Sequence, residues 1–334
     1  MAVAPPITVT CPARAAVAGN PSDRFGGAVL AIPVRAVSAT VSVAPAARFE
    51  IVHSPTADDT FADLDELHRH VERHGCRGAR ELILATIHRV TRHLDVDLPP
   101  STVAVSSSIP RSVGLAGSSA IVIAAVRAIT VAAGADPMAP DELASLAWAI
   151  EEQDLGIPGG LQDRVVQAHD QPMIMRFGTD HTRTVGGLPA GTYDTIRPGS
   201  PVGLLVAHRP ASAETSAVSH ALLDADDGDT GADVRRLASE LASIAESAAE
   251  AMVTGRMDQL GAAIDASFEA RRELFDLRPD HVAMIGAAHD AGAHANYSGS
   301  GGAVTVLCPE PAAAVEVRRA LHDIGCRIIG ATVG

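Results

Sequence analysis

The stretch Pro110-Arg111-Ser112-Val113-Gly114-Leu115-Ala116-Gly117-Ser118-Ser119-Ala120 leads straight into an apolar helical pattern, Ile121 to Ala133. Glycines let a backbone close on an anion, and the first N–H groups of the helix that follows lack intrahelical partners and carry the positive end of its dipole. This is the chemistry of a phosphate cradle, although a Gly/Ser loop before a helix also serves as a plain cap and turn. It is no Walker A loop: all 26 basic residues of the chain are arginine. A divalent ion such as Mg2+, which prefers hard oxygens, would then neutralise phosphate charge, with Ser119 and a carboxylate as protein ligands. Glu151, Glu152 and Asp154 end the next helical segment, where acidic side chains oppose the helix dipole and make a bound cation attractive. Asp163 follows in the glycine-bearing turn Ile157-Pro158-Gly159-Gly160-Leu161-Gln162-Asp163. Arg111 and Arg164 flank these groups and could grip a substrate carboxylate bidentately, or touch only phosphate or Glu152. Upstream, Arg14 to Gly27 reads as a polar turn between apolar strands, in which Asn20, Ser22 and Asp23 suit either the hydroxyls of a polyol or an ordinary loop.

Several elements must position these groups. Period-two alternation predicts strands over Ile7 to Cys11, Ala28 to Val43 and Thr102 to Ser106. Helical spacing over Phe61 to Leu94 breaks near Gly75 and Gly78, with Leu64, Leu67 and Val71 on one face and Leu82, Ile83, Ile87 and Val90 on the next. His68, His70 and His74 lie in the first half, and without a partner motif they read as a solvated helix face. A further helix is expected over Asp141 to Gln153 and a hairpin with its connection over Thr179 to Ser200. Beyond a strand at Val202 to Ala207 come helices at Asp233 to Thr254 and Leu260 to Leu274, and the glycine loop Tyr297 to Gly302. The strand Ala303 to Leu307, the helix Ala312 to Ile324 and a short last strand complete the chain.

Composition limits what such a chain can do. With 47% hydrophobic but only 3% aromatic residues, the core must be close-packed from small aliphatic side chains, and 334 residues suit two domains. Forty acidic against 26 basic residues, a net charge of −14, repel a phosphate backbone and argue against nucleic acid as a partner. The missing lysine excludes Schiff-base chemistry and the ion-pair lysine of protein kinases. Cys11, Cys76, Cys308 and Cys326 lack zinc-site spacing and suit a reducing compartment. No basic leader opens the chain, and its most apolar stretch, Ala120 to Gly134, is interrupted by Arg127. A cytoplasmic protein with no membrane partner is expected.

Three stretches, ARAAVAGNPSDRFGG from Ala13 to Gly27, PRSVGLAGSSA from Pro110 to Ala120 and NYSGSGGAV from Asn296 to Val304, resemble in order and spacing the motifs of the GHMP kinases. Gly19 to Asp23, Gly114 to Val122 and Leu155 to Val165 are similar to the glucuronokinases within that family. The resemblance implies an α+β fold of two domains, an N-terminal ribosomal-S5-like domain over 1–198 that binds ATP and a C-terminal ferredoxin-like domain over 199–334, with the active site in the cleft between them. It implies that Ser119 and Glu151 hold Mg2+ and that Pro110, Gly114, Leu115, Ala116, Gly117, Ser118, Ser119 and Ala120 form the ATP site. Asp163 corresponds to the catalytic carboxylate, and Arg14 is the cation of the first motif and a second catalytic residue. Arg14, Asn20 and Asp23 align with sugar and transferred-phosphate contacts, and Ser22, together with Ser298, Gly299 and Gly301 of the third motif, is assigned to substrate binding. Mevalonate kinases use a lysine near the first motif, which this chain lacks. The expected reaction is ATP-dependent phosphorylation of the anomeric hydroxyl of D-glucuronate. The alternatives are another sugar or sugar acid such as galactose or galacturonate, a decarboxylase of the same superfamily, or a non-catalytic sugar sensor.

Overall fold

The structure is a computed structural model that describes residues 5–52, 59–210, 229–310 and 313–333. Its spine is the antiparallel pair β1 (Ile7–Ala18) and β2 (Ala28–Pro45), which runs from Ile7 opposite Val43 to Ala18 opposite Leu30 with register shifts between Pro12 and Ala13 and between Ala16 and Ala18. Along the outer part of β1 exposure alternates, but from Cys11 to Ala18 every residue is buried. Successive side chains point to opposite faces of a strand, so this inner half is covered on both. Cover on both faces favours small residues, and five of these eight positions are Ala or Cys, while Arg14 is the one long side chain in the run.

Around the pair the chain adds β3 (Phe49–Val52), β4 (Asp59–Phe61), α1 (Leu64–His74), α2 (Leu82–Leu94), β5 (Ser101–Ser107), α3 (Gly117–Ala132), α4 (Pro140–Ala149) and α5 (Gln162–His169). It continues with β6 (Met173–Arg176), the β7–β8 hairpin (Arg183–Val185 and Leu188–Ala190) and β9 (Thr192–Thr195). A seven-stranded sheet results, in the order β4-β3-β5-β2-β6-β9 with β1 also on β2. Helix α3 packs against β1 and β2. The C-terminal part contributes β10 (Leu204–His208), α6 (Asp229–Thr254), α7 (Met257–Leu274), α8 (Pro279–Asp290), β11 (His294–Tyr297), β12 (Ala303–Leu307), α9 (Ala313–Asp323) and β13 (Arg327–Gly330). Its antiparallel sheet has the order β11-β12-β10-β13. Helix α6 crosses back onto β1 and β2, and its Ala245, Ala248 and Met252 belong to the same core as Leu30 and Ile32. Phe268, Met284, Tyr297, Val304 and Val306 form a smaller core under the second sheet.

Several expectations change. Strand β1 runs seven residues beyond Cys11, so Arg14 sits on a strand and only Gly19 to Gly27 forms the turn. The Ala-rich inner half shows no alternation because both of its faces are buried. Helix α3 begins at Gly117, which puts Ser118, Ser119 and Ala120 in its first turn. The expected helix through Gln153 stops at Ala149 and gives way to one wider π-type turn, Ile150–Asp154. Asp163 lies in the first turn of α5, a helix of eight residues too short to announce itself against its glycine-bearing entry. His68 is buried and pairs through Nδ1 with His88 Nδ1 at 2.9 Å, while His70 and His74 are exposed. Strands β3, β4, β6 and β11 and helix α8 went unread, the strands because they are only three or four residues long. Ala312 of the expected last helix lies outside the described residues. Among the described residues no helix is long and apolar enough to cross a membrane.

Candidate active site

The phosphate-type loop takes its shape from Gly114, at φ +74, and Ala116, at φ +56. Ala116 is the N-cap of α3 and supplies no side-chain hydrogen bond, so no side chain of the cap competes for the first-turn amides. Its carbonyl accepts from Ala120 N (3.0 Å), which starts the helix, and from Gln167 Nε2 (2.9 Å), which ties the loop to α5. Arg14 N donates to Leu115 O at 3.3 Å, anchoring the same loop to β1. Leu115 and Ala120 point into the core, so they would serve a ligand with backbone only.

The third glycine loop, between β11 and β12, docks on this one backbone to backbone. A Cβ on Gly299 would lie 2.3 Å from Gly114 O, and one on Gly114 2.7 Å from Gly301 O. No side chain fits at either position, whatever its chemistry. The first motif closes the ring: Asn20 Nδ2 donates to Gly299 O at 3.0 Å, Ala16 N to Ser298 O at 2.8 Å, and Arg14 Nη1 also reaches Ser298 O.

At the junction of the three motifs, Arg14 and Asp163 form an ion pair; the arginine side chain is 4% exposed and the carboxylate 21%. Gln162, next to Asp163, spreads one amide between Asp23 Oδ1 (2.9 Å) and Asn20 Oδ1 (3.3 Å). Asp23 packs its Oδ2 against Gly160, where a Cβ would come within 1.9 Å of it. Burial, then the nearby Asp163 charge, push the Asp23 carboxyl up to about 7. Ser22 spends its hydroxyl on Ala28 O (2.7 Å) and Ser298 pairs its own with Thr305 Oγ1 (2.9 Å), so both build loops with their side chains rather than present them.

Glu151 and Arg164 form a second pair, fully enclosed at 0% and 3% exposure, with Glu151 Oε2 2.8 Å from Nε and 2.7 Å from Nη2. Burial works against the arginine's charge, but Glu151 and Asp163 beside it more than compensate, and its pKa rises. The acidic run expected to attract a cation is thus met largely by protein: Glu152 accepts from Gly159 N at 2.7 Å and Asp154 from Arg89 Nε at 2.9 Å. One acceptor stays open. Glu151 Oε1 is buried without a hydrogen-bond partner. An orphaned carboxylate oxygen, with Ser119 buried in the first turn of α3, fits a hard divalent cation, and the uncapped amides of that turn fit the phosphates it would accompany.

The structure therefore gathers Arg14, Asn20, Asp23, Gly114, Asp163, Ser298, Gly299 and Gly301 into one contact network. Arg164 is committed to Glu151 rather than to Glu152. Arg111 is exposed on the turn entering the loop and makes none of the hydrogen bonds or ion pairs that join this network. Two glutamines escaped the sequence reading. Gln167 is fully buried and joins Ala116 O to Pro12 O (3.1 Å), and Gln162 holds Asp23. The four-residue spacing of Asp163 and Gln167, which puts both on one helix face, would have shown the former had α5 been recognised.

Two family models match the chain, GHMP kinases N terminal domain over residues 81–171 and GHMP kinases C terminal over residues 248–325. Glucuronokinase 1 of Arabidopsis thaliana is 29% identical over 334 aligned residues, covering 96% of this chain and 89% of that protein. Probable glucuronokinase 2 of the same plant is 30% identical, covering 89% of this chain and 83% of its own. The fold is similar to that of Lactococcus lactis galactokinase complexed with galactose, with a TM-score of 0.76 at 14% identity over 98% of this chain and 94% of that one. Kinases of this family use ATP with Mg2+, which agrees with an uncapped helix start and an orphaned carboxylate oxygen in a chain without lysine. On fold, motif order and similarity over most of its length, the chain belongs to the GHMP kinases and is an ATP-dependent kinase that phosphorylates a hydroxyl group.

Proposed function

We propose that the substrate is a hexuronic acid, D-glucuronate, phosphorylated on its anomeric hydroxyl to give the sugar 1-phosphate and ADP. The observation that carries this reading is the Arg14–Asp163 pair at the meeting point of all three motifs, in a chain similar over most of its length to two proteins named glucuronokinase. Asp163 accepts or orients the hydroxyl proton. An ordinary carboxylate is a far weaker base than a sugar alkoxide, so the proton moves late, as the new O–P bond forms. Arg14 pairs with Asp163 and stands where charge moves between hydroxyl and phosphate. Asn20 and Asp23, held in place by Gln162, face the sugar hydroxyls. Ser119 and Glu151 would hold the Mg2+, which would supply charge neutralisation for the phosphates. The remaining stabilisation comes from main-chain amides at the start of α3.

Of the two arginines considered for the sugar carboxylate, Arg164 is enclosed by Glu151 and Gly160 O, which leaves Arg111 at the mouth of the loop. The test is ADP release across glucuronate, galacturonate, glucose, galactose and phosphorylated acids, with the product identified by phosphorus NMR. Glucuronate is expected to give the highest kcat/KM and an anomeric phosphate. Arg111→Met should raise KM for glucuronate about tenfold and leave that of a neutral sugar unchanged. Turnover confined to neutral sugars, CO2 release, or binding without ADP formation would each replace the proposal with one of its rivals.

A further inference from the structure

We propose that Arg271 is a positioning residue which, with Ser267 one helical turn before it, sets the peptide orientation of the third glycine loop and thereby aims that loop's amides at the phosphate loop. Arg271 lies on α7, outside all three motifs, and is 2% exposed. Its Nη1 donates to Gly299 O at 3.0 Å and its Nη2 to Ser300 O at 3.1 Å. The guanidinium also stacks over Tyr297, 4.4 Å from the ring centroid, and over Phe275 at 5.4 Å. Ser267 is fully buried; its Oγ accepts from Gly19 N and from Asn296 Nδ2, both at 3.0 Å. One face of α7 therefore grips the first motif at Gly19 and the third on both sides of Tyr297.

In a trans peptide the C=O of one residue and the N–H of the next point in opposite directions. Holding the carbonyls of Gly299 and Ser300 toward Arg271 therefore turns the amides of Ser300 and Gly301 the other way. Both nitrogens lie on the Gly114 side, 3.2 Å from where a Cβ on Gly114 would stand. Ser298 O is held as well, by Arg14 and Ala16 N, so three successive carbonyls are tied before any ligand arrives. A rigid planar fork that bridges two carbonyls while stacking on two rings is arginine chemistry, and an ammonium group cannot reproduce it. The consequence for turnover rests on the reading of Ser298, Gly299 and Gly301 as part of the substrate site.

The experiment compares wild type with Arg271→Met, Arg271→Lys and Ser267→Ala by hydrogen exchange over residues 298–302 and by steady-state kinetics. Exchange in the loop should rise at least tenfold in both Arg271 variants with β12 unchanged, and less in Ser267→Ala. Turnover should fall 10- to 100-fold in Arg271→Met with KM for ATP within about threefold of wild type, and added methylguanidinium should recover at least fivefold without affecting wild type. Should Arg271→Met not fold, Arg271→Lys carries the same expectations in exchange and turnover. Wild-type loop exchange in the folded variants overturns the clamp, as does a loosened loop with wild-type turnover. The exchange measurement needs no substrate, so its failure is separate from failure of the proposed sugar, which would show as no ADP release from wild type with any sugar.

Discussion

Asp163 and Arg164 are neighbours at the start of α5, yet they enter two different kinds of ion pair. Asp163 meets Arg14 from β1 and keeps about a fifth of its side chain accessible, whereas Arg164 meets Glu151 from the π-type turn and both are enclosed. The first pair joins a strand of the central sheet to the first turn of α5. The second lies where no solvent reaches, and its desolvation cost is offset only because Gly160 O and the two guanidinium contacts complete the geometry. A partly accessible carboxylate is open to a ligand's proton in a way an enclosed pair is not, and in the enclosed pair Glu151 Oε1 has no hydrogen-bond partner. Adjacent residues on a helix point about 100° apart, so one short helix serves both pairs.

The sharpest way to break this contrast is Asp163→Asn. Turnover should fall by about 10²- to 10⁴-fold with ATP affinity nearly intact, as removal of a positioned acid-base group does. Turnover within threefold of wild type would take Asp163 out of the proton path. Next, Glu151→Gln should cost about 3–5 kcal/mol of stability, because it strands Arg164 without a counter-charge. The double variant Glu151→Gln, Arg164→Met should recover most of that loss in denaturant unfolding while still demanding more Mg2+ than wild type. If the double variant matched wild type in its Mg2+ titration, Glu151 would be a structural partner only.

A smaller effect is expected from Gly160→Ala. Its Cβ would meet Asp23 Oδ2 at 1.9 Å, so Asp23 must shift, and KM for the sugar should rise while KM for ATP stays put. Equal increases in both would place Asp23 outside the sugar site. The smallest effect concerns pH. Asp23 ionises at about 7 in the fold against 3.8 in an unfolded chain, so between those values the native state holds the extra proton. Stability is therefore favoured at low pH and falls as pH rises through this window, the cost being complete above about 7. Asp163→Asn removes a neighbouring negative charge and should move the transition to lower pH. An Asp23 carboxyl carbon resonance that titrates near 4 in wild type would remove this coupling.

Much of the site could be read in the linear order of residues. The glycine loop before α3, Ser119 in its first turn and the Asn-Pro-Ser-Asp turn are local features, set by neighbours a few positions apart, and the missing lysine leaves arginine, amides and Mg2+ to compensate phosphate. Other features were hidden for stated reasons. The inner half of β1 lacks alternation because both its faces are buried, and α5 is only eight residues long. Arg164 was open to several partners until the turn at Ile150–Asp154 swung Glu151 against it. Arg271 belongs to no motif, and nothing near it in sequence announces two carbonyls waiting 28 and 29 residues downstream.

By itself the sequence determined which chemical groups exist and which local turns they occupy: glycines where only glycine fits, arginine as the sole permanent side-chain cation, and a serine at a helix start. Tertiary structure alone decided who meets whom. Arg14 and Asp163 are 149 positions apart, and Asn20 finds Gly299 over 279. Backbone preferences reach only a few residues along the chain, so contacts at such separations form when sheets and helices bury a shared core, and that packing turns three separate glycine stretches into one site.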